Sequence, residues 1–350
     1  MILAAGGATK LYPLTYTLPK PLVPVLNVPV IEHIVGLLQR HGFCDIVINL
    51  HYLHRLIEEH LGAGSKFGVR IRYSFEPELL GTAGGVRNVR EFFDSTFLVI
   101  GADDLTDVNL TRMLEFHQAR KPLATVGVAP VDTPAEVGVL ELSDDQRVVA
   151  YTEKPGPDEM PGQWCNTGVY LFEPEIFDFI PSEGTYDFGK HLFPALVEQG
   201  RSFLGYPLQS FWMDIGTHVN YRQSHWELLE GRTGLHIPGE EIRPHIWVDE
   251  GASVSPQAYI RPPALIGRGA KVEAGVEITG PVVLGPNVVV RQGAKVKRSV
   301  VWDGSTIGAG TTLDDCLIGS GCLLQSGQNF AGVVLASGAR MFEDERESSD

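Results

Sequence analysis

Residues 248–278, VDEGASVSPQAYIRPPALIGRGAKVEAGVEI, carry an aliphatic side chain at every sixth position: Val248, Val254, Ile260, Ile266, Val272 and Ile278. The register continues without a slip through Leu284, Val290 and Val296. After two five-residue steps it runs on through Val301, Ile307, Leu313, Ile318 and Leu324. Glycine follows the aliphatic in Ile266-Gly267, Leu284-Gly285, Ile307-Gly308 and Ile318-Gly319. A fixed six-residue period with one buried aliphatic per step is the signature of a parallel β-helix, whose turns favour small residues and unusual backbone angles. An α-helix, with about 3.6 residues per turn, would smear these aliphatics around its surface. The period therefore predicts a β-helix over 248–335, with the polar stretch 336–350 read as a frayed tail.

Upstream the grammar differs. Residues 231–247 (GRTGLHIPGEEIRPHIW) are rich in Gly and Pro and read as a linker. From 1 to 230, apolar runs at Met1–Ala4, Ile46–Leu50, Val69–Tyr73, Phe97–Ile100 and Ala124–Val128 read as strands. Helical spacing separates them at Val30–Gln39, Leu53–His60, Gly85–Phe93 and Leu110–Gln118. This alternation predicts an α/β domain with a mostly parallel sheet covered on both faces, and ligands in such sheets sit beyond the carboxyl ends of the strands.

Composition narrows the function. Of 350 residues, 43% are hydrophobic and 20% charged, as in a globular protein with a sizeable core. No stretch approaches the roughly 18 consecutive apolar residues of a membrane span. The opening MILAAGG lacks the basic flank of a signal peptide, so the cytoplasm is the expected compartment. A formal net charge of −15 argues against nucleic acid and anionic membranes as partners. An anionic substrate must then be held by local cations or by a metal ion. Cys44, Cys165, Cys316 and Cys322 are too scattered for a disulfide framework or a zinc site, and are expected to be reduced, mostly buried thiols.

The first strand runs into Ala4-Ala5-Gly6-Gly7-Ala8-Thr9-Lys10, a small-residue loop that would let backbone N–H groups approach phosphate closely. Lys10 and Lys20 add cations beside it. The same loop could equally be a tight turn with solvated lysines, and the Walker A spacing is absent. The HYLH segment, with His51 and His54, has metal-like spacing but no evident carboxylate partner, so a structural role is expected.

LAAGGATKLYPLTYTLPKPLVPV (3–25) resembles the LAGGxGTRLxPLTxxxPKPLxPV opening of the sugar-1-phosphate nucleotidyltransferases, or nucleotide-sugar pyrophosphorylases. The resemblance continues in order through EPELLGTAG (76–84), FLVIGADDLTD (97–107), YTEKP (151–155), NTGVYLF (166–172) and FWMDIGT (211–217). It thus covers nearly the whole chain, and is greatest to mannose-1-phosphate guanylyltransferases and glucose-1-phosphate nucleotidyltransferases. It implies a Rossmann-like nucleotidyltransferase domain followed by a left-handed parallel β-helix. The implied reaction takes a nucleoside triphosphate and a sugar 1-phosphate to a nucleotide sugar and pyrophosphate, with Mg²⁺ as cofactor.

Site residues follow by position. Asp103 and Asp214 match the two magnesium ligands, and a sparse carboxylate pair suits an ion that also takes substrate phosphate oxygens. Lys10, Lys20 and Asp103 are the expected catalytic residues. Ala4, Ala5, Gly6, Gly7, Glu76, Gly81 and Thr82 are expected to bind nucleotide. Gly138, Glu153, Lys154 and Asn166 are expected on the sugar phosphate. Glu76 could accept from guanine N1–H and N2–H together, or a single N3–H of uracil or thymine. GTP with mannose 1-phosphate is the favoured pair, and UTP or dTTP with glucose 1-phosphate the alternative.

Several positions depart from the family pattern. Lys10 replaces an arginine, which loses bidentate phosphate geometry. Ala5 and Ala8 replace glycines, and Ala8 would be strained at positive φ. Ala102 also replaces a glycine, and His218 a proline. These departures keep open a non-catalytic, nucleotide-sugar-binding regulatory relative. An acyltransferase reading is disfavoured, because no histidine follows His245. A rigid β-helix suits subunit contact, so a homo-oligomer is expected.

Overall fold

The computed structural model describes residues 1–7, 9–130, 137–156 and 162–341. Ala8, whose strain was in question, and 342–350, the end of the expected tail, lie outside the described residues. Two compact units interleave along the chain. The first is Met1–Gly7, Pro19–Pro21 and Val30–Asp214, and the second is built from the stretches between and after them.

In the first unit a sheet runs in the order Val148–Glu153, Gly138–Leu142, Trp164–Phe172, Phe97–Gly101, Ile2–Leu3, Asp45–Leu50, Arg70–Phe75. The last four of these strands are parallel, with Ile2 opposite both Ile48 and Ile100. Asp45–Leu50 and Phe97–Gly101 are near-continuous apolar runs, as expected of strands buried on both faces, and every residue of Phe97–Gly101 is buried, whereas the edge strand Arg70–Phe75 alternates buried and exposed residues. Trp164–Phe172 then runs antiparallel to Phe97–Gly101 and opens an antiparallel half that the strand–helix reading did not distinguish. Ala124–Pro130 pairs with the same long strand and carries Phe203–Pro207 alongside it in parallel.

The helix Val30–Arg40 buries Val30, Ile31, Ile34, Val35, Leu37 and Leu38. That stripe recurs every three to four residues and faces the core. The helix expected at Gly85–Phe93 instead spans Thr82–Arg87 and is followed by a 3₁₀ turn at Arg90–Phe92. Its glycines serve packing: a Cβ on Gly85 would lie 2.6 Å from Glu76 Oε1.

In the second unit the six-residue period becomes three parallel sheets of short strands, the pattern of a left-handed β-helix. The register aliphatics, among them Ile266, Val272, Ile278, Leu284, Val290, Val296 and Ile307, form one buried column. Pairing starts before 248: Glu240–Arg243 runs antiparallel to Ile246–Val248, which already stacks on Ala264–Ile266. It also runs past 335, since Arg340–Met341 pairs with Leu323–Leu324. The helix His218–Leu229, expected in the N-terminal domain, groups with this unit. The reason is a buried seam in which Tyr221 accepts from Trp302 Nε1 at 2.8 Å and donates to the Pro24 carbonyl at 2.6 Å. Asn27 Nδ2 donates to the Leu284 carbonyl, and Arg222 pairs with Asp315 at 2.7 Å. One sheet of the β-helix is consequently buried on its outer side too: Leu265, Val283, Val300 and Leu317 are no more than 1% exposed.

The four cysteines are free thiols, three of them buried. Among the described residues no helix is long and apolar enough to cross a membrane.

Candidate active site

The four parallel strands end at one edge of the sheet, and a cleft of about 370 Å³ opens there. Its walls include Ala4–Gly7 from the first strand's exit and Glu76, Gly81 and Thr82 from the loop after Arg70–Phe75. Asp103 follows Phe97–Gly101, and Lys20 lies opposite. A Cβ on Gly6 or Gly7 would meet nothing within 4 Å, so packing does not require glycine at either position. Without side chains, Gly6 and Gly7 leave this part of the cleft wall open to close backbone approach by a phosphate.

Lys20 sits between two carboxylates. Its Nζ donates to Asp103 Oδ2 at 2.5 Å and to Asp214 Oδ1 at 3.1 Å. Burial opposes its charge, but the two carboxylates outweigh burial and hold the ammonium well above the usual lysine range. Asp214 reaches this point because Trp212–Asp214 pairs antiparallel with Asp104–Thr106. Both partners of Lys20 are 40% exposed and converge on one cation, a geometry that fits a hard divalent ion with open positions for substrate oxygens. Among the described residues no cluster of three or more metal-ligating side chains occurs, so any ion here relies on this pair. The adjacent Asp104, missed in the sequence reading, is buried. Desolvation raises its pKa well above the carboxylate range, with Asp103 and Asp214 adding to the effect.

Two of the residues expected on the sugar phosphate, Glu153 and Asn166, meet at a group that the sequence reading missed. Tyr151 donates to Glu153 Oε2 at 2.7 Å and accepts from Asn166 Nδ2 at 3.3 Å. Gly138 is the strand partner of Glu153, and a Cβ there would stand 2.9 Å from Glu153 Oε2. Asn166 Oδ1 accepts from the Gly168 N–H, and Gly168 lines the cleft. The available signal was strand alternation in YTE, which puts Tyr151 and Glu153 on one face. Lys154 stands apart from this cluster, exposed and at φ 50°.

Glu76 does not present a free carboxylate. It is 1% exposed, and its oxygens accept from Asn49 Nδ2 at 2.9 Å and from the Leu80 N–H at 3.1 Å. His51 Nδ1 bonds the Glu76 carbonyl, while His54 pairs with Glu58 and packs on Phe75, so the HYLH histidines serve separate structural contacts. Lys10 lies exposed on the 3₁₀ turn Thr9–Leu11, in the second unit. Ala102 is buried beside Asp103, with its N–H on the Leu3 carbonyl.

The nucleotidyl transferase family model matches residues 1–231. The chain belongs to that family. A second model, the GMPPB C-terminal domain, matches 260–344. A UTP–glucose-1-phosphate uridylyltransferase of Synechocystis sp. is 38% identical over 71% of this chain and 68% of its own length. A mannose-1-phosphate guanylyltransferase of Mycobacterium tuberculosis is 30% identical over 93% of this chain and 81% of its own. The crystal structure of a Bacillus anthracis protein assigned as a glucose-1-phosphate thymidylyltransferase superposes with a TM-score of 0.59 at 27% identity, over 64% of this chain and 92% of that one. This family member is thus a sugar-1-phosphate nucleotidyltransferase by class, an enzyme that forms nucleotide sugars.

Proposed function

We propose that this chain forms GDP-mannose and pyrophosphate from GTP and mannose 1-phosphate. The observation that carries the reaction type is the cleft itself: the small-residue stretch Ala4–Gly7 lines it together with Lys20 and Asp103, and Lys20 is also bonded to Asp214. A phosphate oxygen of the sugar 1-phosphate attacks the α-phosphorus. The new P–O bond forms as the bond to the bridging oxygen of pyrophosphate breaks. Little covalent chemistry falls to the protein, which must align two anions and neutralise charge on the transferring group. Lys20 supplies a permanent positive charge, and Asp103 and Asp214 would hold Mg²⁺, which would supply further neutralisation of phosphate charge. Glu153 and Asn166, held by Tyr151, face the sugar hydroxyls, with Gly138 offering close backbone approach. Lys154, exposed, is assigned to the sugar phosphate, and Lys10 to the triphosphate by its place in the loop motif.

The guanylyl–mannosyl pair is favoured by likeness to the mycobacterial enzyme over 93% of the chain and by the match of 260–344 to the GMPPB C-terminal model. UTP with glucose 1-phosphate is the second reading, supported by the higher identity, 38%, to the Synechocystis enzyme. Assembly into a homo-oligomer through the flat β-helix sheets belongs to the same proposal.

The test is pyrophosphate release from GTP, UTP, dTTP, ATP and CTP against mannose, glucose and N-acetylglucosamine 1-phosphates with Mg²⁺. One strong pair that collapses in Asp103→Asn establishes the reaction and its substrates. Silence across the matrix, unrelieved by Lys10→Arg, overturns the catalytic reading in favour of a nucleotide-sugar-binding regulator.

A further inference from the structure

Asn49 is buried, 3% exposed, in the wall of the cleft, and both ends of its amide are used. It sits beside Leu3 in the parallel ladder, at the point where the first strand stops. There its Oδ1 accepts the Ala4 N–H at 2.9 Å, replacing the ladder bond that the departing chain no longer makes. Its Nδ2 donates to Glu76 Oε1 at 2.9 Å, and Glu76 Oε2 in turn accepts the Leu80 N–H at 3.1 Å. A continuous chain of hydrogen bonds therefore runs from the start of the Ala4–Gly7 loop, through Asn49 and Glu76, to the loop that carries Leu80 and Gly81.

The space around this chain is closed. A Cβ on Gly85 would stand 2.6 Å from Glu76 Oε1 and 2.8 Å from Asn49 Nδ2, so the helix Thr82–Arg87 presses on the pair. The Glu76 backbone is pinned too, its N–H on the Leu50 carbonyl and its own carbonyl on His51 Nδ1. A carboxylate that is 1% exposed and bonded through both oxygens is poorly placed to reach out to a nucleobase.

We infer that Asn49 is a positioning residue for the nucleotide: with Glu76 it fixes the spacing between the phosphate-side loop and the base-side loop, and Glu76 acts in that brace and not as the reader of the base. The inference rests on the nucleotidyltransferase reading above and refines how that site takes its triphosphate. A nucleotide spans both loops and a sugar phosphate does not, so slackening the brace weakens the nucleotide alone.

The amide–carboxylate pair can be reversed in polarity, which supplies the test. In Asn49→Asp the acceptor for the Ala4 N–H survives, but the donor to Glu76 is lost and two carboxylates face each other. In the double variant Asn49→Asp/Glu76→Gln, the new amide donates to Asp and its carbonyl still accepts from the Leu80 N–H, so every bond returns with the roles exchanged. The single variant is expected to raise nucleotide KM about tenfold or more, the effect of losing one hydrogen bond to a charged group, while sugar-phosphate KM stays within about twofold. The double variant is expected to recover nucleotide KM to within about threefold of the parent, with the order of preferred bases unchanged.

Calorimetric titration with GTP and UTP accompanies the kinetics, and thermal unfolding confirms that each variant folds. A double variant no better than the single one, or one that recovers UTP but not GTP, overturns the inference, because the Glu76 carboxylate is then needed for itself. An unchanged nucleotide KM in Asn49→Asp overturns it as well. A parent protein that binds nucleotide without turnover sinks the catalytic reading only, and the brace is then judged on the titrations. A parent that binds no nucleotide removes both.

Discussion

Asp214 lies directly opposite Asp104 in a short antiparallel pairing, and that register is what carries its carboxylate to the same lysine that Asp103 holds. Two aspartates 111 positions apart in sequence thus share one cation, Lys20, at the open edge of a parallel sheet.

Removing that cation leaves the carboxylates facing each other and the incoming triphosphate unneutralised. Lys20→Met is expected to lower kcat roughly a hundredfold or more, comparable to losing one well-placed electrostatic donor. Pyrophosphate release at saturating substrates checks this. Arginine at the same position should recover only part of the rate, since its planar fork cannot sit between both carboxylates as a point charge does.

Gly81 combines φ +76° with a position where a Cβ would stand 2.7 Å from the Tyr186 carbonyl. Gly81→Ala must therefore shift the backbone of the loop that carries Leu80 and Gly81, at a cost of about 1–3 kcal/mol. Thermal unfolding should show a lower Tm, and nucleotide KM should rise more than sugar-phosphate KM. Gly6→Ala, whose Cβ meets nothing, should leave the Tm unchanged and affect only catalysis.

His117 is fully buried between Thr125 and Glu173, bonded to each through a different ring nitrogen. Burial lowers its pKa below the ordinary 6.5, although Glu173 pulls the other way. The unfolded chain takes up a proton as pH falls through 6.5, while the folded chain resists it, so stability is complete above 6.5 and declines below. Melting curves over that range should show the decline, and His117→Gln should be less stable at neutral pH but flatter with pH.

Tyr221 holds Trp302 and Pro24 through one hydroxyl. Tyr221→Phe takes the partner from the buried Trp302 N–H and from the Pro24 carbonyl and should destabilise the protein by about 2 kcal/mol. Denaturant melts of Tyr221→Phe, Trp302→Phe and the double variant should show strong non-additivity, since either change breaks the same bond.

The β-helix was legible because its period belongs to no other structure, and Val248 through Leu324 fix its register. Its limits were harder to see. Pro and Gly in 231–247 look like a linker, yet Ile246–Val248 already forms a rung, because parallel stacking needs only backbone groups and one inward side chain. A second signal was present in the doublets Leu265-Ile266, Val283-Leu284, Val300-Val301 and Leu317-Ile318. Apolar residues on both sides of a strand mean a sheet covered on both faces. Those pairs marked the buried outer face that Tyr221 and Asn27 help to cover.

In the candidate site, Lys20 and the glycine loop stood out from their residue types and Asp103 from the resemblance of its segment to the family motif, all on short local segments. Asn49, Tyr151 and Asp104 escaped because their roles depend on partners distant in sequence, which periodicity cannot pair. Glu76 was found for its place in a loop, while its hydrogen bonds come from Asn49, 27 residues upstream, and from Leu80.

Residues 19–21 belong to the first unit although the stretches on both sides belong to the second, and the chain crosses again at 214. The two units are therefore not consecutive in sequence, and the gene offers no single point at which to divide them. A shortened gene ending near 230 would strand Leu22–Pro29 and the helix His218–Leu229 without Trp302 and Leu284, the bonding partners of Tyr221 and Asn27. Grafting a foreign β-helix after the same point would demand matched replacements at three separate places. Recombination between relatives at that junction should consequently yield aggregating chimaeras, and the two halves are best treated as a single heritable block.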